Sequence, residues 1–454
     1  MRNTKELFKD YYPQYLEDMK VLLRCPSVLD EYNPSNKEAP FGKGIKEALD
    51  KMIEIARRDG FNATNVDNYC GFIDWGEGEE LVLILCHLDV VPTTGNWTNP
   101  PFDPIIKGDY IYARGTSDDK GPLMSTYYAI KMLRDEGFVP SKKIRFFFGC
   151  DEETGSRGLE HYIEKYGECD YGFSPDAYFP CIYAEKGISN IEFKGHSDDE
   201  RLVSFKAGTA TNVVPDKAIA ILKDIDLLDE FAEYARINHL EFEQKGNEYT
   251  LYGKAAHGST PEKGINAALH LIHFLNQHLN DSFLKFADEY LFDDPYGEKL
   301  GIDIEDEEMG HSSSNAAVFN IEHGIVSVKD NFRYTKSCDL HKEMAKLGNF
   351  LKPFGLTVEI LHYSDYHYVP KDSKLVKSLI SAYLKWYEPK SPIEAEPISI
   401  GGGTYARDFK NAIAFGCMFP GEADCMHMPD ERANLDNLVL SIFILKDAIK
   451  NLCD

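Results

Sequence analysis

Leu81-Val-Leu-Ile-Leu-Cys86, followed at once by His87-Leu-Asp89, is the stretch on which the reading of this chain turns. Its first six residues are continuously apolar, the pattern of a strand covered on both faces. A second such run, Ile144-Arg-Phe-Phe-Phe-Gly149, leads into Cys150-Asp151-Glu152-Glu153. Between them, Pro122 to Glu136 has helical periodicity, with Pro near its start and Gly137 just past its end. Strand, crossover helix and strand predict an α/β layer domain.

Working outward, residues 4–24 and 42–59 read as amphipathic packing helices separated by a Pro34-Ser-Asn connection. After about residue 186 the texture changes to short alternating strands, at Tyr249–Tyr252, Ile325–Val328 and Leu356–Ile360, with a helix over Ile265–Leu279. This is an α+β pattern. From Lys371 the chain returns to a helix, a short strand at Ile398–Ile400 and a C-terminal helix from Asn434. The expected organisation is a discontinuous domain, 1–186 and 367–454, carrying an inserted α+β domain at 187–366 that is large enough for two similar subdomains.

Composition narrows the partners. The 454 residues hold 49 Lys+Arg against 75 Asp+Glu, a formal charge of −26. That balance disfavours phosphate backbones and anionic lipid, so neither nucleic acid nor a membrane surface is expected. No apolar run approaches the ~18 residues of a membrane span, and the first residues lack the apolar centre of a secretory signal. A cytoplasmic location is the expectation. Ten scattered cysteines, none in Cys-x-x-Cys spacing, read as buried thiols and exclude a zinc ribbon or a thioredoxin-type site.

The chemistry gathers at strand ends. His87 and Asp89 share a face beyond the first apolar strand, where open α/β sheets place ligands. Gly115-Thr-Ser-Asp118-Asp119-Lys-Gly121 puts two acids before the Pro122 helix, where they could be mere caps. Asp151-Glu152-Glu153 would repel one another unless a cation neutralised them. Ser174-Pro-Asp176 and Asp424-Cys-Met-His427-Met-Pro-Asp430-Glu431 add further acids and a late histidine. Each alone has an ordinary structural reading; together they form the imidazole and carboxylate mixture of a dinuclear Zn, Mn or Co hydrolase with one acid left over as base.

These five motifs, in this order and spacing, resemble the M20 metallopeptidase family. Asp-Asp-Lys-Gly-Pro122, Ser-Pro-Asp176 and the large insertion resemble in particular its PepV-type, carnosinase-like bacterial dipeptidases. The resemblance implies a zinc-peptidase-like catalytic domain, a mixed sheet flanked by helices, with the insertion as a lid. It implies that Asp118 bridges two divalent ions, with His87 and Asp176 completing one site and Glu153 and His427 the other. Zn²⁺ is the first expectation, and Mn²⁺ or Co²⁺ suit the same ligands. Glu152 would be the general base, Asp89 would orient His87, and the Asp118–Asp119 peptide would be cis.

The same resemblance extends to the lid. His257 in Ala256-His257-Gly-Ser-Thr-Pro261 would polarise the scissile carbonyl, and Asn212 and Arg333 would hold the transition state and the substrate carboxylate. Gly402, Gly403 and Thr404 would form a substrate-facing turn. His270 and His273 read as ordinary helix residues. The implied reaction is hydrolysis of dipeptides with a free N-terminus, which Asp176 favours, by a metal-bridged water activated by Glu152. A deacylase of N-acyl amino acids or of succinyl-diaminopimelate is the alternative within the family, and a non-catalytic peptide- or metal-binding protein the remote one. A monomer is expected ahead of a dimer.

Overall fold

In the computed structural model, which describes residues 4–454, Leu81–His87 is a strand whose last six residues are all buried. It runs parallel to Lys143–Gly149 on one side and to Tyr171–Ser174 on the other, with His87 opposite Gly149. The sheet continues through Cys70–Trp75, antiparallel to Lys143–Gly149, and through Ala412–Ala414, parallel to Tyr171–Ser174. The sheet is therefore mixed, as the resemblance implies, and the chain is an α/β protein. Continuous apolar runs are needed because helices cover this sheet.

The helix Lys120–Asp135 lies nearly wholly in the interior, and Leu435–Cys453 packs along it. Leu435–Cys453 begins where Asn434 accepts the N–H groups of Asp436 and Asn437, a side-chain cap on an otherwise orphaned helix start. The single helix read over residues 4–24 is instead two, Thr4–Phe8 and Tyr12–Leu23. Pro13 falls in the first turn of the second, where a missing N–H costs nothing.

The chain divides into two units. The first comprises Met1–Ala184, Val369–Ile398 and Gly403–Asp454; the second comprises Glu185–Tyr368 with Ser399–Gly402. The second unit contains one antiparallel sheet of eight strands, with Leu202–Ala207 paired to Ser313–Glu322 at its middle. Its helices include Leu228–Ile237, Ala267–Asn276, Ser282–Tyr290 and Leu340–Leu351. One apolar core, with Phe205, Phe231, Leu271, Phe283 and Leu347, joins sheet and helices. Among the described residues, no helix is long and apolar enough to cross a membrane.

Candidate active site and metal centre

Three neighbouring parallel strands deliver the site at their C-terminal ends. His87 is the last residue of Leu81–His87, Glu152 and Glu153 follow Lys143–Gly149, and Asp176 follows Tyr171–Ser174. Asp118 sits in the turn before the helix Lys120–Asp135, and His427 comes from the closing segment. All belong to the first unit. The two oxygens of Asp118 divide between the imidazoles: Oδ1 is 2.9 Å from His87 Nε2, and Oδ2 is 2.8 Å from His427 Nε2. Asp176 Oδ2 is 3.3 Å from the same nitrogen of His87, and Glu153 Oε2 is 3.2 Å from that of His427. The result is two triads sharing one carboxylate.

The surroundings hold each group in place. His87 Nδ1 lies 3.0 Å from the Asp89 carbonyl and 3.5 Å from its carboxylate, so the backbone oxygen is the nearer acceptor. The Asp89 carboxylate instead accepts the N–H groups of Glu152 and Glu153, at 3.0 and 3.1 Å, and so fixes the turn that presents both acids. Asp119 Oδ2 accepts the His87 N–H at 2.9 Å, and the Asp118–Asp119 peptide is cis. His427 and Asp430 both hold left-handed backbone, with φ of 61° and 56°. Such conformations are uncommon for residues with side chains and persist where the surroundings over-determine them. Asp430 supplies part of that constraint, accepting the Thr98 N–H at 2.8 Å and its hydroxyl at 2.7 Å.

Two acids behave differently from a simple reading of the motifs. Asp151, the first of the three consecutive acids, pairs with Arg157 (Nη2 to Oδ1, 2.7 Å) and also accepts the Arg157 N–H, so its charge is met by a guanidinium. Glu431, given no role at first, is fully buried and accepts the N–H groups of Gly115 and Ser117 at 3.1 and 2.8 Å together with Arg114 Nη1 at 2.7 Å. It moulds the loop that ends in Asp118. Breaking a buried ion pair leaves an uncompensated charge worth roughly 3–5 kcal/mol. Glu431→Ala is accordingly expected to lower stability by about that amount and to cut activity with it, read by thermal denaturation and turnover.

The residues suit divalent cations. The donors are two imidazoles and three carboxylates, and Glu153 Oε1 is buried with no hydrogen-bond partner. Negative charge is crowded here: burial first, then Asp118, pushes the Glu153 carboxyl up to about 7, and burial with Asp176 pushes Glu152 well up. Hydrogen bonds to Asp118 and Glu153 raise His427 to about 11, and those to Asp118 and Asp176 raise His87 against the opposing effect of its burial. Without cations, protons supply the positive charge. Metal ligation needs neutral imidazole and ionised carboxylate, so cations must displace those protons. We expect Zn²⁺ uptake to release protons and to weaken as pH falls; calorimetry in buffers of different ionisation enthalpy reads this, and a buffer-independent heat would contradict it.

A model of peptidase family M20/M25/M40 matches residues 83–451. The chain belongs to the M20 peptidase family. It is a metal-dependent hydrolase of the metallopeptidase class. This M20 peptidase is 36% identical to the Staphylococcus aureus (strain MW2) protein "Putative dipeptidase MW1694" over 471 aligned residues, covering 99% of each chain. Among solved structures, human carnosine dipeptidase 1 resembles it with a TM-score of 0.59 and 14% identity, over 99% of this chain and 98% of that one. The Saccharomyces cerevisiae di-peptidase Dug1p gives 0.58 and 13%, over 99% and 97%. These two likenesses establish the shared fold.

The residues expected in the lid fall mostly in the second unit of this peptidase. There Val213 bridges His257 in antiparallel fashion, and the Gly258 N–H donates to the Asn212 carbonyl at 2.7 Å, so the stretches that carry exposed Asn212 and exposed His257 run next to one another. The Gly258 bond is among the shortest backbone contacts of that loop. Arg333 is buried, takes Asn331 Oδ1 at 2.7 Å through Nε, and donates Nη1 to the Gly401 carbonyl. Gly402 belongs to this unit, whereas Gly403 and Thr404 belong to the first, where the Thr404 hydroxyl accepts the Ala406 N–H and caps the 3₁₀ turn Tyr405–Asp408. His270 and His273 have ordinary partners, Tyr234 at 3.1 Å and Asp288 at 2.6 Å.

Proposed function

We propose that this M20 peptidase hydrolyses dipeptides bearing a free N-terminus, with Glu152 as the proton shuttle. The observation that carries the reading is the position of Glu152: an acid beside two triads that share Asp118, its main chain pinned by Asp89 and its carboxyl raised by burial. His87, Asp118 and Asp176 would hold one divalent cation, and Asp118, Glu153 and His427 the second, with Zn²⁺ ahead of Mn²⁺ or Co²⁺. When bound, such ions polarise a carbonyl and bring the pKa of water down to about 7. Glu152 accepts the proton of the attacking water and returns it to the leaving amine, which requires a single carboxyl of raised pKa. Asp89 keeps Glu152 and Glu153 in register during both transfers.

In the second unit, His257 and Asn212 are assigned to the developing oxyanion and Arg333 to the substrate carboxylate, the bidentate partner a guanidinium favours. Asp176 and Asp119 supply negative charge for the substrate ammonium. Full-length similarity to the named staphylococcal relative supports a dipeptide substrate. The test is a panel of free dipeptides and their N-acetyl counterparts, with Zn²⁺ or Mn²⁺ and again after chelation. Cleavage confined to the free series and abolished by chelation is expected. Release of acetate from the blocked series would replace this reading with a deacylase.

A further inference from the structure

In the antiparallel sheet of the second unit, Gly187–His196 pairs with Ile325–Tyr334, which sets Asn190 opposite Asn331. Residues two apart on a strand share a face, as do residues directly opposed on neighbouring strands, so Asn190, Asn331 and Arg333 lie on one face. Phe332 and Tyr334, on the other, belong to the apolar core. Asn331 and Arg333 are only 2% and 4% exposed, so their polar groups need partners inside the protein.

Those partners form a line. Arg333 Nε donates to Asn331 Oδ1 at 2.7 Å, and Asn331 Nδ2 donates to Asn190 Oδ1 at 2.8 Å. Arg333 Nη1 donates to the Gly401 carbonyl, which belongs to the same unit. With Nε and Nη1 both engaged, the guanidinium plane cannot turn without breaking one of these bonds. An amide in place of a carboxylate matters in two ways. Turned end for end, the Asn331 amide would set donor against donor at Arg333, and Asn190 prevents this because its Oδ1 accepts only the NH₂ end. The acceptor is also neutral. Arg145 and Arg157 send Nε to the carboxylates of Asp74 and Asp151, whereas Asn331 orients Arg333 without adding a counter-charge.

We propose that Asn331, oriented by Asn190, is a positioning residue through which this peptidase selects substrates that end in a free carboxylate. The proposal rests on the assignment of Arg333 to the substrate carboxylate. A charge-assisted hydrogen bond is strong only where its geometry is met, and a guanidinium held at Nε offers its remaining donors at one fixed place. A carboxylate accepts there from every side. A C-terminal amide presents an NH₂ that cannot accept, and so loses part of the contact.

The test takes the full-length, metal-loaded protein, the dipeptide it cleaves best and the C-terminal amide of that dipeptide, and reads the ratio of kcat/KM, acid over amide. Arg333→Ala is expected to bring the ratio close to one. Asn331→Ala should lower it at least about tenfold, with the loss falling on the acid. Asn190→Ala, which frees the Asn331 amide to turn, should lower it about three- to fivefold, and Asn190→Asp, which keeps the acceptor, should hold it within about twofold of the parent value. A ratio lost in Arg333→Ala but kept in Asn331→Ala would overturn the proposal and leave the assignment of Arg333 standing. A parent ratio near one, or one kept in Arg333→Ala, would remove that assignment and the proposal with it. Loss shared equally by acid and amide would make Asn331 a structural residue only, and Asn190→Asp no better than Asn190→Ala would remove the orienting role. Should Asn331→Ala not fold, an unchanged ratio in Asn190→Ala would overturn the proposal alone.

Discussion

Glu152→Gln is expected to lower kcat by ~10²–10⁴-fold, the usual contribution of a positioned general base, while leaving bound metal and KM nearly unchanged. The amide matches the acid in size and keeps the main-chain N–H that Asp89 holds at 3.0 Å, so the turn before Glu153 has no reason to move. What is lost is the proton acceptor. The oxygens and nitrogens that meet in the two triads belong to His87, Asp118, Asp176, Glu153 and His427, and none comes from Glu152. Removing one acid also relieves like-charge repulsion on Asp176, Glu153 and Asp118. Elemental analysis beside steady-state kinetics decides it: loss of metal along with activity would make Glu152 a ligand, and retained kcat would remove it from the reaction.

Asp118→Ala is expected to empty both halves of the centre at once, with bound metal falling to background and hydrolysis with it. One carboxylate faces both imidazoles, Oδ1 toward His87 at 2.9 Å and Oδ2 toward His427 at 2.8 Å, and no neighbouring side chain repeats that arrangement. His427→Ala removes a donor from only one triad and should leave about half of the metal, because His87, Asp118 and Asp176 remain together. The comparison is made on desalted protein by elemental analysis. Metal content in Asp118→Ala equal to that of His427→Ala would show that the carboxylate is not shared.

Much of this centre is legible in the chain because strand ends announce themselves. An apolar run that stops at His87, and another that stops before Glu152, can place side chains only at one edge of a sheet, and periodicity is enough to find both. The mixed sheet, the cis Asp118–Asp119 peptide and the metallopeptidase class are what the family resemblance of the five motifs implies, and the structure has the sheet and the cis peptide. Other features have no such signature. Glu431 works through backbone N–H groups, which every residue carries, so nothing in Asp430-Glu431 distinguishes a loop-moulding acid from a solvated one. Asp151 looks like its two neighbours until Arg157 turns back onto it from the next helix. Asp89 lies against His87, its carbonyl 3.0 Å and its carboxylate 3.5 Å from Nδ1, and the same carboxylate also holds the Glu152 turn, a second role that His87-Leu-Asp89 does not announce. The line of amides that ends on Arg333 is assembled from residues as far apart as Asn190 and Asn331, a juxtaposition that only strand pairing creates.

The shared carboxylate also imposes an order in time. Asp118 and its contact His427 are separated by 309 positions in the chain. At ribosomal speeds of about 5–20 residues per second, roughly 15–60 s pass between the synthesis of one and of the other. For most of that interval, from the synthesis of Asp176 onward, the growing polypeptide carries His87, Asp118, Glu152, Glu153 and Asp176 but cannot close the second triad. A peptide-cutting centre built this way stays incomplete among other newly made chains until nearly the whole protein has emerged.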